Sequence, residues 1–187
     1  VRGTEFQSRI SETSGSDFAE VVEGGLDVGL VSGNRMAVAA ETGLSVAQNG
    51  AVITETLMPA PDVANAGKLQ MRPKVRFDFG GGSANAMRVL LARGAGFVDT
   101  IGDLTGTAGV VEFENIEDGN YFARFRSISP NGFEGLPQTY AFKRRLNNVS
   151  GSAGKGDSGY SFKWSSEGKG TIRNHFQLHR GSIQSLP

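Results

Sequence analysis

Between residues 75 and 128, apolar and polar side chains change places at every second position. Val75, Phe77 and Phe79 fall on one side of an extended chain, as do Met87, Val89 and Leu91, and then Val111 and Phe113. In the segment "GNYFARFRSISPNGFEG" (119–135), Tyr121, Ala123, Phe125 and Ser127 point one way and Phe122, Arg124, Arg126 and Ile128 the other. A helix would scatter these residues around its circumference, so the period of two selects strands. Each run is short and ends in a bend. The 27 glycines outnumber the six prolines and show no triplet repeat, which suits tight turns that need positive φ. The pattern predicts an all-β chain with Tyr121, Ala123 and Phe125 in the core. Arg124 and Arg126 are expected on the outer face, their stems covering Phe122.

The same reading extends to both ends. In residues 1–57, short alternating pieces (Thr4, Phe6, Ser8, Ile10; Phe18, Glu20, Val22; Leu26, Val28, Leu30) are separated by Ser-Gly, Gly-Gly and Gly-Asn bends. Glu20 and Glu23 fall between apolar positions and are expected to face solvent. "MPAPDVANAGK" has two prolines and small side chains that cannot pack a core, so 58–67 reads as a linker. Residues 68–146 follow as one β-sandwich, and the Gly/Ser-rich 147–159 as a second linker. At 160–187 the pattern restarts: "YSFKW…HFQLHRG" echoes "VRFDF…RVLLARG", matching Trp164 to Phe79, Phe176 to Val89, Leu178 to Leu91 and Arg180 to Arg93. A second copy that stops at Pro187 lacks half its strands. The last forty residues are therefore expected to be poorly ordered or to borrow strands from a neighbour, with self-association as the result.

Charge restricts function less than fold. The formal net charge is zero, but residues 1–57 hold eight acids and three bases, 58–147 nine and eleven, and 148–187 two and five, giving −5, +2 and +3. Nothing here calls for nucleic acid. With no cysteine there is no disulfide, thiolate metal site or cysteine nucleophile. No apolar run approaches the roughly 20 residues that span a bilayer. The chain opens on Val1 with neither an initiator methionine nor a leader pattern, and is expected to be a piece of something longer.

Several motifs resemble active sites and fail on inspection. "GDSGY" (156–160) resembles the Gly-Asp-Ser-Gly of serine proteases, but both histidines follow Ser158, whereas in those enzymes the histidine precedes the serine. His175 and His179 are four apart, yet "HFQLH" lacks the zincin glutamate and a strand would turn both outward. "GSAGKGDS" has Val149 where a phosphate loop needs glycine, and "GGGSANA" lacks dinucleotide-binding spacing. Lys143, Arg144 and Arg145 read as a solvated basic run. Asn148-Val149-Ser150 is a glycosylation sequon relevant only to a secreted eukaryotic protein. Glu112, Glu114, Glu117 and Asp118 read as an outward strand face and a turn. No catalytic, cofactor-binding or metal-binding residue is expected.

"VRGTEFQSRI…AEVVEGGLDV" resembles the later part of the FecR domain family, in which a V-R-G-T-x-F strand precedes a V-x-E-G-x-V-x-V hairpin. Val1, Arg2, Gly3, Thr4 and Phe6, then Val22, Glu23, Gly24 and Val28, carry the match. "IEDGNYFARFRSISPNGFEGL" is similar to the fibronectin type III or immunoglobulin-like repeats that follow FecR domains in bacterial envelope proteins, some with LysM modules. There Asp118, Gly119, Tyr121, Arg124, Arg126, Gly132, Glu134 and Gly135 match. The resemblance implies a FecR-like segment followed by tandem sandwiches in the periplasm or at the cell surface. It also implies no catalysis and a structural or binding role toward peptidoglycan, a polysaccharide or another envelope protein. Two alternatives accompany it: an accessory portion of a carbohydrate-active enzyme, and a transmembrane regulator relaying an iron receptor's state to a sigma factor. The regulators do not continue into tandem sandwiches, so the scaffold is the closer architecture.

Overall fold

Gly24 turns the chain out of one sheet and into another, and the first group of strands is organised around that corner. The computed structural model describes residues 3–30, 32–63, 67–79, 86–107, 109–156 and 159–167. The first six strands are β1 (Glu5–Ile10), β2 (Asp17–Glu23), β3 (Gly25–Gly29), β4 (Arg35–Ala39), β5 (Thr42–Val46) and β6 (Val52–Thr56). An antiparallel sheet runs in the order β1-β2-β5-β6, and β3 pairs with β4 as a separate hairpin. At the corner between β2 and β3, Gly24 has φ +82°, and a Cβ there would come within 2.8 Å of Thr4 Oγ1. Both the conformation and the space demand glycine. The hairpin then brings Leu26, Val28, Met36 and Val38 against Val21, Leu44, Val46 and Val52 of the larger sheet.

The second group comprises β7 (Leu69–Gln70), β8 (Val75–Asp78), β9 (Ala86–Ala92), β10 (Thr100–Gly106), β11 (Val110–Phe113), β12 (Gly119–Ile128) and β13 (Gln138–Arg144). A five-stranded sheet in the order β10-β9-β12-β13-β7 packs against the β8–β11 pair. All pairings are antiparallel except β13 with β7. The alternation seen in sequence supplies the interior: Val75, Phe77 and Phe79 from one layer meet Met87, Val89, Leu91, Tyr121, Ala123 and Phe125 from the other. Phe77 is the centre, with edge-to-face contacts to Phe125 (5.1 Å), Phe142 (5.5 Å) and Phe113 (6.3 Å). Tyr121 keeps its ring in this core while its hydroxyl donates to the Glu117 carbonyl at 3.0 Å.

Three sequence expectations are corrected here. Arg144 is not part of a solvated run: it is 1% exposed and donates to the carbonyls of Ile116, Gln70 and Pro73 at 3.3, 3.2 and 3.0 Å. The Ile116 and Pro73 carbonyls belong to irregular backbone that must find donors somewhere, the Gln70 carbonyl ends the short edge strand β7, and a fork of five N–H groups serves all three at once. Burial pulls its guanidinium below the ordinary value. Arg126 is also buried rather than solvent-facing. Finally, 147–159 is largely strand: β14 (Asn148–Gly156) pairs antiparallel with β15 (Gly159–Glu167) in a two-stranded ribbon. Composition suggested a linker, but small residues in β14 are what let Trp164 lie across Gly151, where a Cβ would sit 2.3 Å from the ring. Trp164 is 51% exposed, whereas Phe79, its counterpart in the sequence echo, is buried. The rest of that echo, including Phe176, Leu178 and Arg180, lies outside the described residues.

The described residues contain strands and no helix, so the all-β expectation stands, in a layered, sandwich-like form. No helix among them is long and apolar enough to cross a membrane. Truncating Phe77 to alanine is expected to lower unfolding free energy by about 3–5 kcal/mol in urea denaturation, because three rings lose their common neighbour.

Candidate functional site

The turn Ser129-Pro130-Asn131-Gly132 ends β12 and sends the chain back antiparallel beside it, with Glu134 bridged to Ile128. Gly132 N–H donates to the Ser129 carbonyl (2.9 Å), Ser129 N–H to Phe133 O (2.9 Å), and Gly132 takes φ +88°, a type I turn closed by a left-handed glycine. The following pair, Phe133 and Glu134, is thereby pushed into the first group of strands.

Phe133 is 1% exposed and meets the ring of Phe18 edge-on at 5.3 Å, with Leu57 and Leu136 completing the cluster. Gly43 makes room for it: a Cβ there would lie 2.4 Å from the ring. The Arg9 guanidinium stacks on Phe18 at 4.0 Å. Beside this apolar contact sits Glu134, whose Oε1 accepts from Arg88 (2.7 Å) and whose Oε2 accepts from Gln7 (2.8 Å). Arg9 Nε lies 3.5 Å from Glu134 Oε1, an electrostatic contact without hydrogen-bond geometry. Arg9 also donates to Glu20 Oε1 (3.2 Å) and to the Gly132 carbonyl. Arg88 is held from its other side by Asp103 through bonds of 2.8 and 2.6 Å, and its protonated form is strengthened above the ordinary value chiefly by that pair. Arg126, cross-strand neighbour of Arg88, donates to Gly135 O at 2.9 Å. The junction thus balances Glu20, Glu134 and Asp103 against Arg9, Arg88 and Arg126.

Glu20 is the unexpected member. The alternation of β2 predicts it outside, and it does share a face with Phe18, but the 129–135 turn covers that face and leaves Glu20 fully buried. Its Oε1 accepts from Arg9 and from Glu134 N–H, both at 3.2 Å, while Oε2 has no hydrogen-bond partner among the described residues. Burial is the larger influence and raises the carboxyl above the usual carboxylate range, with Arg9 opposing it. Glu23 is exposed, as predicted.

Other residues singled out from sequence are placed apart from this junction. Glu112 and Glu114 pair with Lys74 and Arg76 on the β8–β11 surface, and Asp118 accepts from Leu146 N–H at 2.6 Å. The Arg124 guanidinium stacks over Phe97 at 4.0 Å. Ser158, His175 and His179 lie outside the described residues. Asn148 and Ser150 fall on β14, where the Ser150 hydroxyl shares a 2.5 Å bond with that of Ser165. Two further surfaces stand open. One is the ribbon face carrying Tyr160, Phe162 and Trp164, each half exposed or more. The other is a groove of about 680 Å³ over β1, β2 and β5, flanked by β3.

The junction residues Arg9, Glu20, Arg88 and Glu134 were not singled out as a site by sequence. The available signal was a carboxylate at an apolar period-two position, which does not show what covers it. Apart from Glu20 Oε2 and Arg9 Nε, their groups find hydrogen-bond partners within the junction or in Asp103, and the arrangement fixes two sets of strands together. No protein-family model matches the chain, and no curated protein matches it.

A group with a raised carboxyl value binds its proton more tightly folded than unfolded. Its contribution therefore favours the folded state below the unfolded value of 4.5 and is lost as pH rises through the raised folded value. Glu20→Gln is expected to be at least as stable as the parent at neutral pH and to remove that part of the pH dependence. Glu134→Ala, which strips an acceptor from half-screened arginines, is expected to cost about 2–3 kcal/mol. Urea titrations from pH 4 to 8 check both.

Proposed function

We propose that the protein is a non-catalytic scaffold of the bacterial cell envelope, which holds β units in fixed relation and presents their surfaces to peptidoglycan, a polysaccharide or another envelope protein. The observation that carries this reading is the Phe133–Glu134 junction, which joins two strand groups by an apolar plug and shared ion pairs. A spacer must hold its modules at a set angle, and buried side chains do this where a flexible linker cannot.

Two details support the finer resemblance. The Glu23-Gly24 corner, with its required positive φ, falls where the FecR-like hairpin pattern has its glutamate and glycine. In the second group, the order β10-β9-β12-β13 opposite β8–β11, with Tyr121 bonded back to Glu117 at the start of β12, fits an immunoglobulin-like sandwich with its tyrosine corner. The exposed rings of the β15 ribbon suit contact with sugar C–H faces.

Co-sedimentation with purified peptidoglycan sacculi, beside a glycan array, tests the proposal. Retention on sacculi or on one envelope polysaccharide is expected, reduced about tenfold when Tyr160, Phe162 and Trp164 are all changed to alanine, a loss near 1.4 kcal/mol. Failure to bind any envelope polymer or envelope protein, or turnover of a glycan by the purified protein, overturns it.

A further inference from the structure

We propose that the groove between β1 and β3 receives one extended, basic peptide strand, added to the free edge of β3. This site is separate from the ribbon and does not depend on the envelope reading.

The geometry of the layers points to it. A four-stranded sheet is covered by a hairpin of only two strands, and the groove is bordered by β3 and not by β4. Among the described residues β3 pairs with β4 alone and β1 with β2 alone, so each presents an unpaired row of amides and carbonyls. The open volume lies where a third strand of the upper layer would lie, and its floor is apolar apart from Ser8 and Asp17. Ile10 is 68% exposed there, and Leu26, Val28 and Val46 are only partly buried. An added strand would therefore gain a hydrogen-bonded ladder from β3 and apolar contact from below. The five residues of β3 offer a track of roughly 17 Å.

Charge selects the occupant. Asp17 lies at the groove floor, opposite Ile10 and Val46 in register, and Asp27 is the middle residue of β3. Neither makes an ion pair or side-chain hydrogen bond among the described residues. Arg9 does not neutralise them, because its guanidinium is turned to the junction with Glu20, Gly132 and Phe18. A partner strand alternating apolar and cationic side chains would rest the first set on Ile10 and Val28 and set a cation beside Asp27. A second copy of this chain fits worse: symmetric pairing of β3 with β3 would place Asp27 directly opposite Asp27, a repulsive cross-strand pair.

The probe is a blocked hexapeptide of alternating valine and lysine, compared with its valine–glutamate counterpart by calorimetry and by amide hydrogen exchange on the whole chain. The lysine peptide is expected to bind about tenfold tighter than the glutamate one and to protect amides in residues 25–29. Asp27→Lys, at an exposed position, is expected to invert that preference, and Ile10→Ser to weaken both peptides. Equal affinity for the two peptides, no binding at millimolar concentration, or protection confined to a different strand edge overturns the proposal. So does concentration-dependent dimerisation that protects residues 25–29 without peptide. Binding to sacculi is measured separately, so the two proposals fail independently.

Discussion

The burial of Glu134 beside Phe133 is the interaction on which the arrangement of the two strand groups depends. A carboxylate enters a protein interior at a cost of several kcal/mol unless donors surround it, and here Gln7 and Arg9 of β1 and Arg88 of β9 converge on it, one strand from each group. None of these residues alone would hold the two groups together. Phe133 supplies the apolar area and Glu134 the direction: the ring lies where a Cβ on residue 43 would collide with it, and the carboxylate lies between the two arginines. Removing one carboxylate leaves positive charge without a partner, which explains why charged side chains at this surface are present in balanced number.

Much of the layered architecture was legible because side-chain alternation is set by the backbone itself. Val75, Phe77, Tyr121, Ala123 and Phe125 could be assigned to an interior from spacing alone, and all are buried. The same spacing is silent about whether the opposite face meets water. Arg126 and Glu20 both occupy that opposite position, and both disappear beneath the 129–135 turn, a contact between segments more than a hundred residues apart in the case of Glu20. Long-range covering leaves almost no local mark. A glutamate between Phe18 and Val22 was a faint one.

The ribbon of β14 and β15 shows the complementary limit. Glycine and serine in "NNVSGSAGKGDSG" weaken strand preference, and composition reads them as flexible. Their smallness has a different use once Trp164 lies over Gly151, since flat packing of a large ring against a neighbouring backbone requires the absence of a side chain. Arg144 follows a similar logic: three charges in a row suggest solvent, yet the middle one alternates inward and binds carbonyls. In both cases composition points one way, and packing against neighbours decides otherwise.

The Leu136 N–H donates to the Met58 carbonyl at 2.9 Å, and the connecting segment leaves β6 and Leu57 from that same spot. Tension pulling the two strand groups apart would therefore reach the side-chain plug before it could straighten the connector. Such a joint resists stretching in shear across several contacts at once, and the span between its outer ends stays nearly constant until the plug is drawn out as a unit.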